Sequence, residues 1–218
     1  MKILIGLTAL IPATSAWAHH PLAGMPMETL WHGLLSGVGH PLLGSDHLAF
    51  ILLVGLISFA STGLRRAFAP GLFVTGSTAG LIAGYAGVGG FFVEPGVMLS
   101  ILLLGMCIAA GWTNRMSHTG LSSLIAISGV VHGIAFSGAL IGVEATNTSV
   151  LVGYLIGLAC TLGTLSLASG YMFAGFTGEA YKLDDLKPRL IGAAIAGVGA
   201  FIIFEEVEGI ALTLAGLA

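Results

Sequence analysis

The sequence predicts an all-α fold: a polytopic bundle of transmembrane helices, with six spans after a cleaved amino-terminal signal peptide. Three observations carry that expectation. Of 218 residues, 56% are hydrophobic and 8% charged, against roughly 25% charged in an ordinary soluble domain. Apolar runs near the ~20 residues that cross hydrocarbon recur along the chain. The few basic residues cluster between alternate runs, as membrane orientation requires. A net charge of -3 with no basic run excludes a nucleic-acid partner and leaves membrane lipid as the surroundings.

Residues 1–18 read as the signal peptide: Lys2, the short apolar run Ile3 to Ile11, Pro12, then Ala16-Trp17-Ala18 as the cleavage site. An uncleaved anchor is the alternative. Residues 19–218 then form a single transmembrane domain beginning His19-His20-Pro21. The six spans are expected at about 44–61, 67–88, 95–113, 119–141, 149–174 and 189–208. Met27 to Gly39 is a further helical piece lying on or re-entering the membrane, with Trp31 suited to an interface. Cys107 and Cys160 fall inside apolar runs and read as small core residues rather than a disulfide or ligands. The 34 glycines suit close helix packing and equally permit helix breaks.

Orientation follows from the basic residues beyond the signal. Arg65, Arg66, Arg115, Lys182, Lys187 and Arg189 all lie in or beside the connections after spans one, three and five. Those connections are therefore cytoplasmic, and both mature ends lie on the periplasmic or extracellular side of the bacterial cytoplasmic membrane. His19, His20, His32, His40 and His47 then fall on the outer side, and His132 in the outer half of span four. Glu94 opens span three on that side, and Glu205, Glu206 and Glu208 close span six there as a solvated acidic end, with Glu205 the member best placed to face inward.

His40-Pro41-Leu42-Leu43-Gly44-Ser45-Asp46-His47 carries the chemistry. Ionisable groups are costly near hydrocarbon and usually line a cavity or pathway. Imidazole with carboxylate suits first-row divalent metals. On one continuous helix, residues seven apart lie about 10 Å from each other along the axis, too far for two nitrogens to share an ion at ~2.1 Å each. The helix is therefore expected to break, with Pro41 and Gly44 to allow it. Asp46 either binds the ion or orients a ligand imidazole. The alternative is an ordinary helix start capped by Ser45 or Asp46.

His132 is a ligand candidate or a histidine bonded to another helix, and Gly129 and Gly133 are expected to bring its span against span one. Glu94 either attracts the ion or simply complements a helix dipole. His19 and His20 are a flexible capture site at most, and His118 with Asn114 reads as a polar cytoplasmic loop. Three spans of opposite orientation in each half admit a 3+3 inverted repeat.

The chain resembles the HupE/UreJ family of membrane proteins, regarded as nickel or cobalt permeases. The likeness rests on the His-Pro-x-x-Gly-x-Asp-His element (His40, Pro41, Gly44, Asp46, His47), on Val93-Glu94-Pro95, and on His132-Gly133 in the fourth span. It implies that His40, Asp46, His47, Glu94 and His132 handle the metal. Many members continue the fourth-span motif with a second His-Gly and an acidic residue. Here Phe136-Ser137-Gly138-Ala139 stands instead, so the ligand set is reduced.

The expected activity is a secondary transporter moving a divalent ion inward, nickel or cobalt ahead of zinc or copper. No G-x-x-x-x-G-K-[ST] loop is present to supply nucleotide energy. The membrane potential favours inward movement of a dication by about 4.6 kcal/mol at ~100 mV. A membrane metalloenzyme and a non-transporting subunit of a larger complex are the alternatives. No placed nucleophile or separate base supports an enzyme. The sequence leaves open a homo-oligomer or a partner complex.

Overall fold

The computed structural model describes residues 27–140, 147–178 and 181–217. The expected signal peptide, His19 and His20 lie outside them. The described residues form seven α-helices and no strand: α1 Leu30–Leu43, α2 Ser45–Phe59, α3 Phe68–Tyr85, α4 Val93–Ala109, α5 His118–Ser137, α6 Thr148–Thr177 and α7 Leu186–Leu214. Their surfaces are apolar nearly all round, as helices facing either protein or lipid must be. Polar side chains sit where the backbone needs them. Thr29, Ser117 and Asn147 each accept from a first-turn N–H, starting α1, α5 and α6. Gly111, at φ 71°, takes the left-handed conformation just beyond α4.

Each of the six expected spans coincides with a helix, but their lengths differ. Gly63–Tyr85 (a 3-10 turn plus α3), α5, α6 and α7 are long and apolar enough to cross a membrane. The pair α1 and α2, bent by 79°, has the length and composition of a fifth when taken together, as a broken span or a re-entrant loop. At 17 residues α4 is shorter, rising about 25 Å, at the lower limit for hydrocarbon. Met27 to Gly39 is largely absorbed into α1, the helical piece expected there.

The core centres on α2, which packs on α3, α4, α6 and α7 and buries Phe50, Ile51, Leu53, Val54 and Leu56 completely. Two helix pairs approach closely through glycine. A Cβ on Gly80 of α3 would stand 2.0 Å from the Val130 carbonyl oxygen, and one on Gly133 of α5 would stand 2.1 Å from that of Ser77. Between α1 and α6, Gly33 and Gly153 are equally tight, each 2.1 Å from a carbonyl oxygen of the other helix. The expectation for Gly129 and Gly133 is thereby corrected: they seat α5 on α3, not on the first span. His132 lies about 60° and 100° around the helix from them, so it projects sideways to α2 instead.

The connections bearing the basic residues meet at one end of the bundle. Tyr181, beyond α6, donates its hydroxyl to the Leu56 carbonyl at 2.5 Å. Arg189 Nε donates to Ala109 O at 2.8 Å, and Arg66 Nε to Ser61 O at 3.2 Å. Burial pushes the Tyr181 phenol above its ordinary value, and the Arg66 guanidinium pulls more weakly the other way. A cavity of about 390 Å³ opens at this end, lined by Ile57, Ser61, Asn114, His118 and Lys182 among others.

Candidate metal site

The site begins with the break at Gly44. Its φ of -78° and ψ of 105° suit any residue, so conformation does not demand glycine there. Space does: a Cβ would stand 2.8 Å from Cδ2 of His47 and 3.1 Å from Oδ1 of Asp46. The expected interruption is present. Pro41 lies in the last turn of α1, and α2 starts after Gly44 without a side-chain cap, so neither Ser45 nor Asp46 plays that part. The bend brings the His40 and His47 rings to 5.5 Å between centroids.

From the other side α5 supplies His132, whose Nδ1 is 2.9 Å from Nδ1 of His47. All three imidazoles are buried, at 7%, 5% and 0% exposure for His40, His47 and His132. Each outer imidazole of the trio also touches a hydroxyl. His40 Nδ1 lies 2.9 Å from the Tyr154 hydroxyl of α6, which donates to the Phe136 carbonyl at 2.9 Å. His132 Nε2 lies 2.9 Å from the Ser100 hydroxyl of α4, which donates to the Val97 carbonyl at 2.6 Å.

Aromatic rings seal the cluster. Phe136 lies 4.2 Å from the His47 ring and edge-on to His40 at 5.2 Å. Phe50 and Phe73 flank His132 at 4.7 and 5.5 Å. In so apolar a setting each imidazole depends on its hydrogen-bond partner for orientation.

The other expected residues divide. Asp46 is half-buried in the first turn of α2, beside Gly44 and next to His47. Glu94 is exposed in the first turn of α4, the helix that carries Ser100. Among the described residues, no three His, Cys, Asp or Glu side chains already stand as a group able to hold a metal. His118 lies in the cavity at the basic end. Glu205, Glu206 and Glu208 are all exposed, as a solvated acidic end requires, and Glu205 does not face inward. The buried positions of α7 end at Gly199, and every residue from Phe204 to Leu214 is exposed. Cys107 is half-buried and Cys160 exposed, both free thiols, so Cys160 is not a core residue.

Tyr154 and Ser100 were not legible as site residues in the sequence, although a signal existed. Each is a polar group inside an apolar run, which in a membrane needs a partner.

A bent helix pair carrying buried imidazoles, set among long apolar helices, defines a multi-pass membrane protein with a polar site inside its bundle. The profile of the HupE / UreJ protein family matches residues 7–202, and the chain belongs to that family, which is associated with metal transport. Protein HupE of Rhizobium leguminosarum bv. viciae is 27% identical over 203 residues, covering 93% of this chain and 97% of that one. No solved structure matches the chain.

Proposed function

We propose that the chain is a permease carrying a divalent transition-metal ion, nickel or cobalt, inward across the bacterial cytoplasmic membrane. The observation that carries this reading is the 2.9 Å between Nδ1 of His47 and Nδ1 of His132, on two different spans. Two nitrogens each ~2.1 Å from one ion and at right angles about it are about 3.0 Å apart. His40 stands next to this pair as a further imidazole. Asp46 and Glu94 supply negative charge on the approach, Asp46 beside the ligands and Glu94 at the surface.

A site with few protein ligands suits transport, because a carried ion must bind well enough to load and weakly enough to leave. Inward of the cluster, the fully buried side chains of Ile51, Leu53, Val54 and Leu56 separate it from the cavity holding His118 and Asn114. The ion therefore passes only when helices move around α2.

A 3+3 inverted repeat, with α4 as the sixth span, would supply that motion. Packing supports it. Exchanging α2 with α5, α3 with α6 and α4 with α7 turns the α2–α6 contact into α3–α5 and α2–α7 into α4–α5. It returns α4–α7 and α3–α6 to themselves, and all these contacts occur. The α2–α3 and α2–α4 contacts lack counterparts of similar extent.

The test is uptake of nickel and cobalt into sealed vesicles under an inside-negative potential. The wild type should accumulate ions, while His47→Ala and Asp46→Ala should not, at equal membrane levels. Binding without accumulation by the wild type would leave a subunit or an enzyme, and undiminished uptake by both variants would remove the site.

A further inference from the structure

We infer that Tyr154 and Ser100 are positioning residues that hold His40 and His132 in opposite tautomers. His40 carries its proton on Nδ1 and directs the lone pair of Nε2. His132 carries its proton on Nε2 and directs the lone pair of Nδ1 at His47.

The inference follows from counting hydrogens. A carbonyl oxygen has none, so the Tyr154–Phe136 contact at 2.9 Å and the Ser100–Val97 contact at 2.6 Å each require the hydroxyl proton. A hydroxyl has only one to give. The same hydroxyls also lie 2.9 Å from His40 Nδ1 and His132 Nε2. With the hydroxyl proton committed, each of those ring nitrogens must donate, and each neutral imidazole then has its lone pair on the other nitrogen.

A consequence reaches His47. With His132 Nδ1 an acceptor, the 2.9 Å contact between them requires His47 to donate through its own Nδ1 when no ion is bound. For an ion to seat between those nitrogens the His47 proton moves from Nδ1 to Nε2, which keeps the ring neutral and turns the Nδ1 lone pair to the ion.

The two backbone carbonyls come from the helices that bear the site, Phe136 on α5 and Val97 on α4. The tautomers are thus written into main-chain positions, with the hydroxyls as intermediaries. Outer partners of this kind commonly change metal affinity about 10–100-fold when removed. The tautomer assignment stands on the hydrogen bonds alone, whereas its effect on metal rests on the transport reading.

The experiment is nitrogen-15 NMR of histidine-labelled, metal-free protein in detergent, with His40 and His132 signals assigned by His40→Gln and His132→Gln. The expected spectrum shows Nδ1–H for His40 and Nε2–H for His132. The reverse tautomer at either residue, or an even mixture, overturns the inference. Tyr154→Phe should then release His40 into mixed tautomers and weaken equilibrium binding of nickel about 10–100-fold. Ser100→Ala should do the same to His132, and Ser100→Thr should restore both tautomer and affinity. Unchanged spectra in Tyr154→Phe and Ser100→Ala would also overturn it. If a variant fails to fold, the wild-type spectrum still decides. A wild type with the expected tautomers that binds no nickel keeps the inference and refutes the transport reading.

Discussion

At the scale of single residues, the chemistry depends on how few groups surround the ion. If His47 and His132 share one ion, either substitution to Ala should remove most of the affinity, and the double variant should cost little more. Distant, independent positions would instead give additive losses. Nickel binding by the four proteins of this cycle, measured in detergent, separates the two cases. Phe136 offers the converse change. Its ring lies against His47 and His40, so an imidazole in its place would stand beside both. Phe136→His should raise nickel affinity by about tenfold, equivalent to ~1.4 kcal/mol, and slow vesicle uptake because release becomes harder. Tighter binding with faster uptake would contradict a release-limited carrier.

At the scale of elements, glycine decides what can meet. Gly44→Ala places a methyl group against His47 and Asp46, so metal binding should fall sharply while the protein remains folded. Gly133→Ala acts differently, forcing its Cβ to within 2.1 Å of the Ser77 carbonyl oxygen. Overpacking of this kind costs on the order of 1–3 kcal/mol, and here the neighbour is rigid backbone. The melting temperature in detergent should drop for Gly133→Ala and stay put for Gly197→Ala, which has nothing within 4 Å of the added carbon. Equal behaviour of the two would mean that the α3–α5 contact contributes little to stability.

At the scale of the whole molecule, the prediction concerns sidedness. The connections carrying the basic residues gather around one cavity, and Glu94 begins a helix whose other end, Ala109, is tied to that region by Arg189. In a protein with Cys107 and Cys160 replaced, Asn114→Cys should react with an impermeant thiol reagent only from the cytoplasmic side. Glu94→Cys should react only from the opposite side. Labelling of both from one side would overturn the orientation drawn from the basic residues.

The amino-acid sequence by itself determined the class of fold, the places of the helices and the break between His40 and His47. Those properties are local: apolar run length sets a span, and a Pro and a Gly between two histidines interrupt a helix. It also pointed to His132, because an ionisable group is costly in an apolar run wherever the run ends up. Only the tertiary structure decided which helices touch. It turned Gly129 and Gly133 toward α3, left Glu205 on an exposed end of α7, and brought Tyr154 and Ser100 to the imidazoles. Rotation of a helix about its axis and the choice of its neighbour come from packing between residues far apart in the chain. An all-round apolar helix carries no stripe to announce them.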